Sequence, residues 1–339
     1  MQKINVIASS YTSRNNHYGV SLLQAEEKQL FLRDIAIAGE QPSYLVSDGK
    51  DTLYVANEID DRCCISICTL TPEGLILKGQ MNSRGQGACH LSYDRATGLL
   101  FASCYGSGHI VCFDTALQKE KCSFLPEDCE GSHAHGTVIA FDGEWLFSVD
   151  LGKDCIHAFR MEEIMEGSMK PVSTLTLKPS TGPRQILTDP KHSRLYCINE
   201  LDSSVHVISF DKGSGKMSFL HAFAASKREK ENYPGTAAIT RDGRYLFVPN
   251  RGANTIALFE IGSDQPIMKY ECDCLGIWPR YLCLTEDDTR LLVANQRSGN
   301  ITMFSFREYE KEALTYLDSI AIGEANCVLT PFPMRKKEK

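Results

Sequence analysis

HAHGTVIAFDGEWLFSVDLG, residues 133–152, holds two strand-like runs on either side of an Asp142-Gly143 pair. Alternation of apolar and polar residues marks a strand, and Asp-Gly suits the tight hairpin turn whose central positions need positive φ. The second run, EWLFSVDL (144–151), has five counterparts: DTLYVANE (51–58), GLLFASCY (98–105), SRLYCINE (193–200), RYLFVPNR (244–251) and TRLLVANQ (289–296). Each joins an apolar-aromatic centre to a small or polar end. Aligning Asn57, Cys104, Asp150, Asn199, Asn250 and Asn295 gives intervals of 47, 46, 49, 51 and 45 residues. That period fits the blades of a propeller and exceeds most solenoid repeats.

The two ends complete the set. NVIASSYT (5–12) places Ser9 48 residues before Asn57, and GEANCVLTPF (323–332) resembles a first strand that lacks its partner. Six internal units and one assembled from both termini predict an all-β chain. The expected fold is a seven-bladed β-propeller of four-stranded antiparallel blades, its ring closed by N- and C-terminal strands, which protects the edges. One propeller domain is expected over residues 1–333, with a basic, disordered tail at 334–339. No long helix is evident.

Composition narrows the partners. A chain of 339 residues with 42% apolar side chains buries a large core, while a net charge of -7 argues against nucleic acid, which is held by clustered Lys and Arg. No segment has transmembrane length or a signal-peptide layout, so a cytoplasmic location without a membrane partner is expected. In that compartment the 14 cysteines read as small buried hydrophobes. Neither Cys63-Cys64 nor Cys272-Asp273-Cys274 has the C-x₂-C spacing of a zinc site.

Within each hairpin, residues equidistant from the turn should face each other. This sets Arg184 opposite Glu200, His135 opposite Asp150 and Arg280 opposite Asn295, with Arg251 in the Glu200-equivalent place of unit five. All should gather at one mouth of the central channel. The repeated Asn57, Asn199, Asn250 and Asn295 read as caps on turns. Arg184, Arg251 and Arg280 bring three guanidinium groups, suited to carboxylate or phosphate, to one space in an acidic protein; a structural ion-pair ring is the alternative. Gln296, beside Asn295, is grouped with the substrate-binding residues.

His133 and His135, two apart on a strand, should point the same way, and with Asp150 they could supply three zinc ligands. The arginines at that mouth disfavour a divalent cation, so no metal or cofactor is expected and His135 reads as a general acid-base group. His133 is read either as a substrate contact or as filler. His90 and Tyr105 either line the channel or pack. Gly213-Ser214-Gly215-Lys216 reads as a hairpin loop, and no G-x-S-x-G nucleophile elbow occurs.

The phrases HAHGTVIAFDGEWLFSVDLG, TGPRQILTDPKHSRLYCINEL, TRDGRYLFVPNRGANTIALF and WPRYLCLTEDDTRLLVANQRSGNITMF resemble the seven-bladed lactonase family. That family includes the cycloisomerase-2 type of 6-phosphogluconolactonase and the fungal carboxymuconate cyclase. The resemblance implies acid-base roles for His135 and Glu200 and substrate-anion binding by Arg184 and Arg251. Units one, two and five depart from its Gly-x-x-Pro-Arg shape, as in GQGACHLSYD (85–94). The implied function is hydrolysis of a small anionic sugar lactone, 6-phosphogluconolactone above all, a step of the pentose phosphate pathway. A muconate-type cycloisomerase and a non-enzymatic propeller that binds a protein or peptide are the rival readings.

Overall fold

The computed structural model describes residues 3–12, 19–189, 191–228, 231–262, 265–308, 310 and 312–331; the basic tail at 334–339 lies outside them. Seven antiparallel sheets form seven blades. Blade 3 is the pattern for the rest: Ala134–Ala140, Trp145–Asp150, Cys155–Arg160 and Ser173–Thr176 pair in chain order. Blade 7 is the composite. Its inner strand Ala325–Leu329 pairs with Ile4–Ser10, matching Ile7 with Leu329 and Ala8 with Val328, and Val20–Glu26 and Gln29–Ala36 follow. In blade 5 the inner strand is broken into Tyr233–Pro234 and Ala238–Ile239, which makes that sheet five-stranded by count. A five-residue helix, Met161–Met165, is the one α-helix among the described residues.

The repeated apolar motif is the second strand of each blade, packed against a neighbouring blade on both faces. That is why Leu99–Cys104 and Trp145–Asp150 are buried at every position instead of alternating. Between blades 3 and 4, Trp145 and Phe147 meet Phe210 edge to face at 4.8 and 4.7 Å. Each such ring contributes about 1.5–3 kcal/mol of burial and fixes the angle between adjacent sheets. Two of the strand-end asparagines, Asn57 and Asn250, are staples. Asn57 donates to Ala38 O at 2.8 Å and Glu40 O at 2.7 Å, and Asn250 donates to Ala225 O at 2.9 Å, tying each second strand to the connection arriving from the preceding blade.

The register differs from simple hairpin symmetry at the end that matters. Asp150 pairs with Ala134, Asn199 with Pro183 and Asn295 with Pro279, because each inner strand carries one extra residue there. Such a β-bulge leaves that residue unpaired and re-aims its side chain. His135, Arg184 and Arg280 are three of these residues; Ser43, Cys89, Gly235 and Asn326 hold the same place in the other blades. His135 is therefore not opposite Asp150, and neither Arg184 nor Arg280 has the cross-strand partner that symmetry assigns. Six of the seven bulge residues, all but Gly235, line one small axial cavity instead.

Candidate active site

Two tiers of side chains form the mouth. The lower tier is the ring of bulge residues, and the upper tier comes from the residue that follows each second strand's last cap, including Glu58, Tyr105, Glu200, Arg251 and Gln296. Beneath both, the channel is plugged. Tyr44 packs on His90 at 4.3 Å and on Tyr281 at 5.4 Å, and Gln185 is locked to Ala237 through both backbone groups. Burial and the Arg184 charge push His90 down to about 3, so it is a neutral packing element. About 10 Å³ remains free in this axial cavity. Reactants therefore reach the cluster from the mouth side.

His135, Arg184, Glu200 and Arg251 form one continuous polar chain. Arg184 Nη1 lies 2.6 Å from His135 Nε2 and 2.7 Å from Glu200 Oε2, while Arg251 Nη2 reaches the same Oε2 at 2.7 Å. Arg251 is further fixed by donating to Tyr233 O at 2.8 Å and Pro234 O at 3.0 Å. Because a guanidinium only donates, Nε2 of His135 is the acceptor and its proton sits on Nδ1. Burial, followed by the Arg184 charge, drives the His135 pKa well below the usual imidazole value. Burial alone would raise Glu200, yet the charges of Arg184 and Arg251 hold its carboxyl at about 2. The pair is thus a neutral imidazole and an ionised carboxylate.

Two buried atoms of this chain, His135 Nδ1 and Arg184 Nε, have no protein partner. Buried polar groups are ordinarily satisfied, so these two are where a water or a bound molecule supplies the missing contact. Arg280 is held loosely, 3.6 Å from Glu58 Oε2 and 3.5 Å from Gln296 Oε1. Three guanidinium groups against two carboxylates, Glu200 and Glu58, leave a formal excess of one positive charge at the mouth.

The remaining candidates separate clearly. His133 stacks on Tyr105 at 4.4 Å and pairs through Nδ1 with Tyr105 O at 2.8 Å, while His135 meets the same ring edge-on at 5.8 Å. The three-ligand set of His133, His135 and Asp150 is not assembled. Asp150 accepts from the Ser132 hydroxyl and from the backbone N–H groups of His133, Gly152 and Lys153, at 2.8, 3.1 and 3.0 Å for the last three. Its carboxylate serves the loop. Among the described residues no group of three or more His, Cys, Asp or Glu is placed to hold a metal ion.

Glu58 and Tyr11 are the additions that sequence reasoning passed over. Glu58 ends DTLYVANE in the same place that Glu200 ends SRLYCINE, so the repeat itself carried the signal. Tyr11 lies just beyond the N-terminal strand and donates its hydroxyl to Glu58 Oε2. It enters the mouth because blade 7 closes the ring.

Two carboxylates, an imidazole and three guanidinium groups thus gather at the plugged mouth of a seven-bladed ring. The chain belongs to the lactonase family of seven-bladed β-propellers, whose family model matches residues 5–330. A Bacillus subtilis protein named 6-phosphogluconolactonase is 25% identical over 330 residues, covering 92% of this chain and 91% of its own. The periplasmic gluconolactonase of Pseudomonas aeruginosa superposes with a TM-score of 0.87 at 20% identity, over 98% of this chain and 99% of that one. A Lactobacillus plantarum protein of the same fold superposes with a TM-score of 0.87 at 22% identity, over 96% and 99%. No helix among the described residues is long and apolar enough to cross a membrane.

Proposed function

We propose that this protein hydrolyses a sugar lactone in the cytoplasm, opening 6-phosphogluconolactone to 6-phosphogluconate. The observation that carries the reading is the unbroken chain from His135 through Arg184 and Glu200 to Arg251. The names of full-length relatives point to the same reaction class. In the reaction the oxygen of a water bonds to the lactone carbonyl carbon, one water proton passes to a base, the ring C–O bond breaks, and the departing oxygen takes up a proton.

Glu200 is the acceptor of the water proton in this scheme. A carboxylate at about 2 is a feeble base, so its contribution rests on placement: both arginines engage Oε2, and Oε1 stays available to hold the water. His135, protonated at Nδ1, is a donor toward the developing or departing oxygen. Arg184 Nε and the loosely held Arg280 supply the positive charge that a phosphate or carboxylate needs. The cleft beside them is acidic on balance, with Glu40, Asp60, Asp61 and Glu324 outnumbering Arg62, which disfavours a muconate bearing several carboxylates.

The test is to assay freshly generated 6-phosphogluconolactone, unphosphorylated gluconolactone and a carboxymuconate, each corrected for spontaneous reaction. Turnover of the phosphorylated lactone with the highest kcat/KM supports the reading. Turnover of the muconate alone, or of none, rejects it.

A further inference from the structure

The free space beneath the arginines has room for no more than about one water, so the body of a sugar lactone has to lie against another part of the cluster. A cleft of about 640 Å³ adjoins it, with Tyr11, Glu40, Glu58, Asp60, Asp61 and Glu324 in its walls. Arg280 is the shared border. It lines the axial cavity beside His135 and Arg184, lies 3.6 Å from Glu58 Oε2, and places its guanidinium 5.4 Å from the centre of the Tyr11 ring. The inner end of the cleft is therefore the Tyr11–Glu58 pair, built from blades 7 and 1 and joined to blade 6 through Arg280.

We infer that Glu58, oriented by Tyr11, is a specificity-determining residue that accepts hydrogen bonds from the hydroxyl groups of the substrate. The inference rests on the sugar-lactone reading and extends it to a second wall of the site. An ionised carboxylate only accepts hydrogen bonds, and a sugar hydroxyl is a ready donor. Tyr11 and Arg280 both address Oε2, so Oε1 remains for the ligand. Charge sets the orientation: an acidic wall repels a phosphate or carboxylate, whereas the arginines attract it. The hydroxylated carbons thus lie along the cleft with the anionic group on the arginine side.

The test compares gluconate with hexanoate by calorimetry, since both present one carboxylate on a six-carbon chain and differ in hydroxyl groups. The wild-type protein should prefer gluconate by at least about tenfold, the scale of one charge-assisted hydrogen bond. Glu58→Gln should cut the gluconate-to-hexanoate affinity ratio by on the order of tenfold, Tyr11→Phe by less, and Glu58→Asp should retain part of it. Thermal melts establish that the variants are folded. A Glu58→Gln protein that loses affinity for both anions by the same factor would show that Glu58 only orients Arg280, which overturns the inference. So would a wild-type protein with no preference for gluconate, including one that binds neither anion. A wild-type protein that prefers gluconate but opens no lactone would sink the proposed function and leave this inference standing.

Discussion

Replacing Glu200 by Gln separates three properties of the site that a simple loss of function would confound. The substitution keeps the shape and one acceptor oxygen but removes the charge that lies 2.7 Å from both Arg184 and Arg251. Those arginine side chains are only 6% and 5% exposed, and that of Glu200 is 19% exposed. Unpairing a buried ion pair costs about 3–5 kcal/mol when the partner is deleted outright. The retained amide oxygen offsets part of this, so a loss of about 2–3 kcal/mol is expected. With an unfolding entropy of about 2.1 cal/mol/K per residue, that lowers Tm by roughly 3–4 °C. Turnover should fall by roughly 10²- to 10⁴-fold, the usual scale for removing a proton-transfer group. Anion affinity should move the other way, because the formal excess at the mouth rises from one positive charge to two. Melting curves, kcat on 6-phosphogluconolactone and calorimetry with 6-phosphogluconate read the three quantities. Wild-type turnover in a folded Glu200→Gln protein would refute the proton-acceptor role, and weaker binding of the anion would refute the electrostatic account of the arginines.

The pH profile follows from the same geometry. Glu200 is ionised above about 2 and His135, whose pKa lies well below its usual value, is neutral in the ordinary range. After correction for spontaneous hydrolysis, kcat/KM on unphosphorylated gluconolactone, which has no phosphate to titrate at about 6, should therefore show no ionisation limb near the unperturbed imidazole value of about 6.5. A limb there that vanishes in a His135 variant would contradict the assignment. His135→Ala should lower kcat by roughly 10²- to 10⁴-fold while calorimetric binding of 6-phosphogluconate largely survives; unchanged turnover would remove His135 from the chemistry. Asn57→Ala strips the staple to Ala38 and Glu40 and should cost about 1–3 kcal/mol of stability. Melts should show the loss with kcat unchanged, and an unaltered Tm would show that the staple is dispensable.

The blade count was legible because a strand packed on both faces has to be apolar throughout, so the second strand of every unit leaves the same mark. Ring closure was legible for a related reason: an unpaired NVIASSYT and an unpaired GEANCVLTPF each need a partner, and a ring allows them to satisfy one another. The mouth was legible at the level of which residues arrive, and His135, Arg184, Glu200 and Arg251 do meet there. Pairing was not. Hairpin symmetry assumes one residue against one residue, and it fails at the single step where each inner strand has two against one.

That failure has a chemical use. Side chains held in regular register are consumed by packing, against a neighbouring blade as Val149 and Phe147 are or in the plug of the channel as Tyr44, His90 and Gln185 are. Inserting one residue per blade aims an extra side chain at the axis in six of the seven blades, Gly235 being the exception, without disturbing the strands behind it. The residue before each bulge is Pro42, Ala88, Ala134, Pro183, Pro234, Pro279 or Ala325, so a small residue or proline followed by a variable one marks the place. At that variable position the chain has Ser, Cys, His, Arg, Gly, Arg and Asn around the ring. The scaffold is thus free to differ in chemistry from blade to blade while the packed strands keep their common pattern. Tyr11 escaped this logic because it belongs to no repeat. It reaches Glu58 only once the two termini have closed the ring, a contact between residues 47 apart in sequence that local pattern does not encode.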